Sequence, residues 1–324
     1  MAWPSRADLW GVRLADAEAA YASVARAISR FEPVIMVANE ADVPRVRDAC
    51  GDRVEAVALP IDDSWMRDSG PSFLINAEGE VAGADWGFNA WGGKFPPWDK
   101  DAALAGRILD RLSMRAFKTE FILEGGSIHV DGEGTVLTTE QCLLNPNRNP
   151  ALSRAEIEAT LKGWLGARTV IWLGEGLEND HTDGHIDDIA CFVRPGVVMA
   201  ATCDDPSDPN HKPLTENLRR LRAARDAKGR ALEIIEMKLP GRREVAGVGR
   251  LASSYVNFYI ANGGIIAPSF DDPLDTAAER ILTAAFPGRE VVMVPCLTII
   301  EGGGSVHCIT QQQPAGAAAP GARP

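Results

Sequence analysis

The stretch 188–239 contains DIACFVRPGVVMAA (188–201), PLTENLRRLRAARDAKG (213–229) and ALEIIEMKL (231–239). The first string is two apolar, β-branched runs joined by Arg-Pro-Gly, a hairpin pattern. The second carries apolar residues at helical spacing, and the third is a short apolar run of strand length. Together they read strand, strand, helix, strand. Hairpin patterns recur at PSFLINAEGEVAG (71–83), SIHVDGEGTVLTT (127–139) and NFYIANGGIIAPS (257–269). Amphipathic helical stretches recur at 15–31, 99–112, 153–166 and 274–288, several opening on Asp or Ser. Each is followed by an apolar run: PVIMVAN (33–39), KTEFILE (118–124), ARTVIWLG (167–174) and REVVMVPC (289–296).

A fifth copy is split. SVHCIT (305–310) is expected to supply its first strand from the C-terminus, and the chain start its second. Joining the two ends in this way lets a radial array hide its edge strands. The period therefore predicts a radial α/β array. The competitor, a doubly wound sheet, expects single strands alternating with helices and a GxGxxG loop, which the sequence lacks. One domain is expected over 1–314, followed by a disordered low-complexity tail, AGAAAPGARP, at 315–324.

Composition narrows the function. With 324 residues, 45% of them hydrophobic, there is ample material for a core. No apolar run is long enough to span a bilayer, so no membrane partner is expected. MAWPSRADLWG at the start lacks the layout of a signal peptide. Six scattered cysteines then imply reduced thiols and a cytoplasmic location. The absence of CxxC and HExxH argues against a structural zinc. A net charge of −12 speaks against nucleic acid and favours cationic ligands.

Unusual chemistry sits at the leading ends of the hairpins. WMRDSGP (65–71) carries Trp65, Arg67 and Asp68; EGGSIHVD (124–131) carries Glu124; TDGHIDD (182–188) carries His185 and Asp187; GGGSVHC (302–308) carries Cys308. Each has a structural explanation taken singly: a surface ion pair or turn at Arg67–Asp68, a loop cap at Glu124, a hydrogen-bonded pair on one strand face at His185 and Asp187, a buried thiol at Cys308. Their shared place in the repeat argues instead for one pocket. Paired carboxylates grip a planar guanidinium. Its carbon is a poor electrophile and calls for a thiolate, whose pKa a neighbouring cation can depress. An imidazole moves the protons. The glycines 302–304, Gly303 among them, let main chain approach the ligand closely.

These motifs, with GHIDDIACFVRPGVV (184–198), LASSYVNFYIANGGIIAP (251–268) and GGGSVHCITQQQP (302–314), closely resemble the agmatine deiminase family of the guanidine-modifying superfamily. The resemblance covers nearly the whole chain. It implies the pentein fold, a five-bladed pseudosymmetric α/β propeller. It also implies hydrolysis of agmatine to N-carbamoylputrescine and ammonia, in putrescine synthesis, without metal or organic cofactor. Cys308 would be the nucleophile of a covalent thiouronium intermediate and His185 the general acid and base. Asp68 and Asp187 would hold the guanidinium, Glu124 would orient His185 and the substrate, and Trp65 and Trp91 (in FNAWGG, 88–93) would line the shaft. A homodimer is expected. Two departures stand out. The family carries more residues ahead of MAWP, so the strand completing the split unit is expected to be short. In NDHTDGH (179–185), His181 stands where the family has an acid that would receive the distal ammonium; Asp180 and Asp183 are expected to supply the charge instead. Deiminases of peptidyl-arginine, of free or methylated arginine or of a guanidino acid would share the chemistry, as would an amidinotransferase. A non-catalytic pentein binding module would lack the nucleophile and carboxylates, and a cysteine protease would place its Cys at a helix start.

Overall fold

The computed structural model describes residues 1–319 and has a mixed α/β fold in which the strand–strand–helix–strand succession occurs four times. Ser72–Ile75 and Glu80–Gly87 pair antiparallel, and Ala116–Ile122 returns parallel to the second after the helix Leu104–Arg111. The strands His129–Val130, Thr135–Thr139 and Thr169–Leu173 do the same around the helix Arg154–Leu165. So do Ala190–Arg194, Val197–Thr202 and Glu233–Lys238 around His211–Ala223. The fourth set is Tyr259–Ala261, Gly264–Ser269 and Glu290–Pro295 around Asp275–Ala285. The sheets stay separate, and none closes into a barrel.

Local chemistry accounts for the punctuation. The Pro195-Gly196 turn needs a residue at φ 79°, which glycine adopts without strain. The helix Arg154–Leu165 opens on a capping box in which Ser153 and Glu156 satisfy each other's backbone N–H groups, and it ends at Gly166 in the left-handed region. The inner strands read as continuous apolar runs because both faces are covered: Val197–Thr202 is buried at every position.

The split copy carries an addition. The helix read at 15–31 is present as Leu14–Ile28 and leads from the chain start to the strand Val34–Ala38. A further helix, Val43–Cys50, and strand, Val54–Ala58, follow, the strand pairing parallel with Val34–Ala38. Val43–Cys50 escapes periodicity because eight residues holding Pro44, Arg45, Arg47 and Asp48 show only Val43, Val46 and Cys50 to the core. The chain start supplies the short second strand expected: it runs parallel to Val34–Ala38 through the bridge Ala2 to Val37, with Trp3 N bonded to Val37 O at 2.8 Å and Val37 N to Met1 O at 2.9 Å. The tail departs from expectation. Ala317–Ala318 pair with Glu80–Val81, on the stretch of that strand that Ala116–Ile122 leaves free; residues 320–324 lie outside the described residues. Unpaired strand backbone is a ready template for such an addition.

The leading ends of the hairpins are not strands. Met66–Ser69 is one helical turn, Gly125–Ser127 and Ile186–Asp188 are tight turns, and Val306–Ile309 is a turn as well. Their backbone groups bond to one another and to side chains instead of a ladder: Arg67 N to Cys308 O at 3.1 Å, Gly126 N to Asp68 Oδ1 at 2.9 Å, His307 N to Asn257 Oδ1 at 2.9 Å. The segments therefore hold each other at one place.

Candidate active site

Cys308 sits buried on the turn 306–309, with Asp187 Oδ2 at 3.5 Å from its sulfur. Asn257, just ahead of the hairpin strand Tyr259–Ala261, donates its amide to Sγ at 3.1 Å and to Asp188 at 3.0 Å. Its oxygen accepts His307 N, so one side chain fixes the turn and touches the thiol. Asp187 is held by His307 Nδ1 at 2.7 Å. Burial, with Asp187, Asp188 and Asp68 nearby, pushes the thiol well above its usual pKa. The cation expected beside the sulfur is thus not supplied by the protein. The carboxylates around it await one.

His185 lies 3.8 Å from Asp68, 3.9 Å from Asp187 and 4.0 Å from Glu124, all buried. Burial alone would push its imidazole down; Asp68, Cys142 and Glu124 outweigh it and hold it well above the usual value. Burial raises the Asp68 and Asp187 carboxyls, against the pull of His185. Asp188 is raised further, by burial and then by Asp187. Glu124 Oε1 takes Arg148 Nε at 2.6 Å, both side chains fully buried. Glu124 Oε2, His185 Nε2 and Asp187 Oδ1 have no partner within the protein. Buried polar groups are otherwise almost always paired, so three orphans around one point mark where a ligand's polar groups belong. Gly126 leaves room for that cluster, since a Cβ there would lie 2.6 Å from His185 Nδ1 and 2.9 Å from Asp68 Oδ1.

A narrow pocket leads to Cys308 and Asp68 between Trp65, Trp91 and Phe95, with His181 and Gly303 beside it. Trp91 stands at φ 56°, ψ 43°, a strained conformation for an aromatic residue, and its indole N–H donates to Asp68 Oδ2 at 2.9 Å. Asn89 caps the same loop through Gly92 N. A missing side chain also permits a close approach at Gly304, where a Cβ would lie 2.5 Å from Trp65 and 3.1 Å from Cys308 Sγ. Of the residues singled out from the sequence, Trp65, Asp68, Trp91, His181, Gly303 and Cys308 line this pocket, while Glu124 and Asp187 join Asp68 through His185 at 3.8–4.0 Å.

Two alternatives raised by the sequence fall away. Arg67 and Asp68 do not form a surface ion pair: both are buried, and Arg67 Nε donates to His307 O. Asp183 is matched by Lys94 and Arg148, and Asp180 accepts from Thr182, Gly184 and His185 N–H groups, so neither faces the pocket. The carboxylate beyond Asp68 that does line it is Asp63, which burial raises to about 6. Sequence reasoning missed Asn257, Arg148, His307 and Asp188. Asn257 was legible, because it opens the fourth hairpin where the others carry Asp68, Glu124 and Asp187. Arg148 came with no signal beyond a polar loop.

All six cysteines are unpaired. Burial raises the Cys50 thiol to about 11 and Cys296 to about 12, values of inert thiols. Two triplets, Glu124–Cys142–His185 and Asp187–Asp188–Cys308, have possible metal-ligand atoms within 4.8 Å of one another. Both are parts of the cluster above, in which Arg148 and Asn257 already occupy one atom of Glu124 and of Asp188.

Known proteins share this sequence and architecture. Agmatine deiminases of Pseudomonas fluorescens Pf-5 and Pseudomonas aeruginosa LESB58 are 50% and 51% identical over alignments covering 97% of this chain and 92% of theirs. A structure of agmatine deiminase of Enterococcus faecalis catalysing its reaction superimposes with TM-score 0.94 at 38% identity, covering 97% of this chain and 92% of that one. A cysteine-to-serine variant of C. jejuni agmatine deiminase with substrate bound gives 0.90 at 30% identity, covering 98% and 92%. The sequence profile of the Porphyromonas-type peptidyl-arginine deiminases matches residues 1–314, and this chain is a member of that family.

Proposed function

We propose that the protein is a hydrolase that deiminates agmatine to N-carbamoylputrescine and ammonia, with Cys308 as covalent nucleophile. The observation that carries the reading is the clustering of a thiol, an imidazole and three carboxylates, of which Cys308 and Asp68 open onto the aromatic pocket. Asp68 and Asp187 grip the guanidinium, and Glu124, anchored by Arg148, orients His185 and the substrate. The bound cation neutralises the carboxylates that hold the thiol up, so substrate binding lowers the Cys308 pKa and its proton passes to solvent. The thiolate adds to the guanidinium carbon. His185, held protonated, gives its proton to one nitrogen, the C–N bond breaks, and ammonia leaves a thiouronium on sulfur. Neutral His185 then takes a proton from water as its oxygen bonds to the carbon; the C–S bond breaks, its electron pair returns to sulfur, and the remaining hydroxyl proton is lost from the ureido product.

The four complete units and the split one are read as blades of a five-bladed propeller over one domain, 1–314, whose leading turns meet on its axis. A cytoplasmic homodimer with no nucleic-acid partner belongs to the same reading; no described helix is long and apolar enough to cross a membrane. Ammonia release from agmatine, free arginine, a peptidyl-arginine and 4-guanidinobutyrate, each compared with Cys308→Ala, tests the function. Agmatine should give the highest kcat/KM, and the alanine variant should release none. Preference for peptidyl-arginine would move the assignment within the family.

A further inference from the structure

The groups around Cys308 are reached from two sides. On the far side from the aromatic pocket lies a cavity of about 410 Å³ whose lining includes Arg67, Asp187 and His307. The two compartments share no lining residue. What separates them is thin: Asp187 belongs to the rear lining, yet its Oδ2 is 3.5 Å from the sulfur that belongs to the front. His307, bonded to that same oxygen, keeps a side chain 11% accessible although it lies this deep. Arg67 is buried with one guanidinium nitrogen unpartnered. A cavity of this size with orphaned polar atoms on its wall holds water.

On the deimination reading, the front pocket is occupied when traffic is needed. The alkyl tail of the adduct fills the space between Trp65, Trp91 and Phe95 while ammonia has to leave and water has to arrive. We propose that the rear cavity is the passage through which water reaches, and ammonia leaves, the adduct on Cys308. Its lining suits small neutral polar molecules. Arg67 and Arg194 on this lining are matched in number by Asp131 and Asp187, so no net charge holds an ion there. His307 is buried and His129 half-buried; both are pushed down, His129 to about 3, and as neutral rings they relay hydrogen bonds without trapping an ion. Val193, Val256 and Ile260 make part of the remaining wall apolar, which keeps transit weakly bound. The chemistry served is the pair of half-reactions above: ammonia formed with the His185 proton departs rearward, and water entering the same way gives its proton back to His185.

Two substitutions on different strands, Val193→Phe and Ile260→Phe, would fill the cavity without touching Cys308, Asp187 or His307. In both, kcat for agmatine should fall about tenfold or more, as release and entry become limiting. The fraction of enzyme carrying the adduct, read by intact mass after acid quench at steady state, should rise. Alkylation of Cys308 by iodoacetamide through the front should keep its wild-type rate. Val130→Trp, at the exposed rim, serves if either variant does not fold by circular dichroism. Folded variants with wild-type kcat and adduct level overturn the passage, as does a lower kcat without more adduct. Absence of adduct in every protein, wild type included, would instead refute the covalent reading on which the proposal rests.

Discussion

Asp68→Asn perturbs the site at the one carboxylate that touches the substrate end, the aromatic wall and the catalytic imidazole together. Asp68 accepts Trp91 Nε1 on one oxygen and Gly126 N on the other, both at 2.9 Å. Asparagine has a single oxygen, so one buried donor is left facing an NH2 group, a stability loss of about 1–3 kcal/mol. The larger effect is on substrate. Removing one partner of a buried, hydrogen-bonded charge pair costs about 2–5 kcal/mol, and at about 1.4 kcal/mol per factor of ten this is a loss of roughly 30-fold to several-thousand-fold in kcat/KM. The substrate is cationic before attack and as the thiouronium, so most of this should appear in KM. The remainder should appear in kcat through His185. Asp68 is the first of the charges that hold the imidazole up against burial; without it the pKa falls and less acid form is present at neutral pH. The high-pH limb of kcat/KM, where His185 loses its proton in the free enzyme, should therefore move to lower pH. Steady-state ammonia release across pH, with melting curves for both proteins, reads all three effects. A variant with weakened binding but an unmoved high-pH limb would refute the assignment of Asp68 as the support of His185.

Cys308→Ser should bind agmatine by calorimetry and release no ammonia, because a hydroxyl is a far weaker nucleophile near neutral pH; loss of binding would mean that the sulfur only shapes the pocket. Arg148→Met leaves Glu124 and Asp183 without their buried cation, a loss of about 3–5 kcal/mol, or a fall in Tm of roughly 4–7 °C for a chain of this size; an unchanged Tm would show that the pair contributes nothing to the fold. At the far end of the pocket, Asp63→Asn should raise KM for agmatine and leave 4-guanidinobutyrate unaffected, while His181→Glu should lower KM for agmatine alone. If neither changes the ranking of the two substrates, the distal ammonium is read elsewhere.

The repeat was legible because hairpins and amphipathic helices leave separate periods in the sequence, and four units match the order read from them. In the split unit the added helix Val43–Cys50 and strand Val54–Ala58 went unread because that helix is short and charged, whereas Leu14–Ile28 is a long amphipathic helix that advertises itself. The site was legible as a coincidence of place, with Asp68, Glu124, His185, Asp187 and Cys308 all at leading ends of units. The local structure there was not, since turns held by side chains carry no periodicity: His307 and Cys308 depend on Asn257, a partner 51 residues away from the cysteine. Charge bookkeeping from sequence also failed for Asp180 and Asp183, because their partners Lys94, Arg148 and the loop N–H groups are set by tertiary contacts alone.

The central claim is that Cys308 bonds to the guanidinium carbon of agmatine. Wild-type enzyme mixed with excess agmatine, acid-quenched during turnover and analysed by intact mass and peptide mapping, tests it most directly. The account predicts a species heavier by agmatine less ammonia, with the added mass on the Cys308 peptide and absent from Cys308→Ala. Unmodified Cys308 throughout turnover, together with ammonia release by Cys308→Ala, would contradict it.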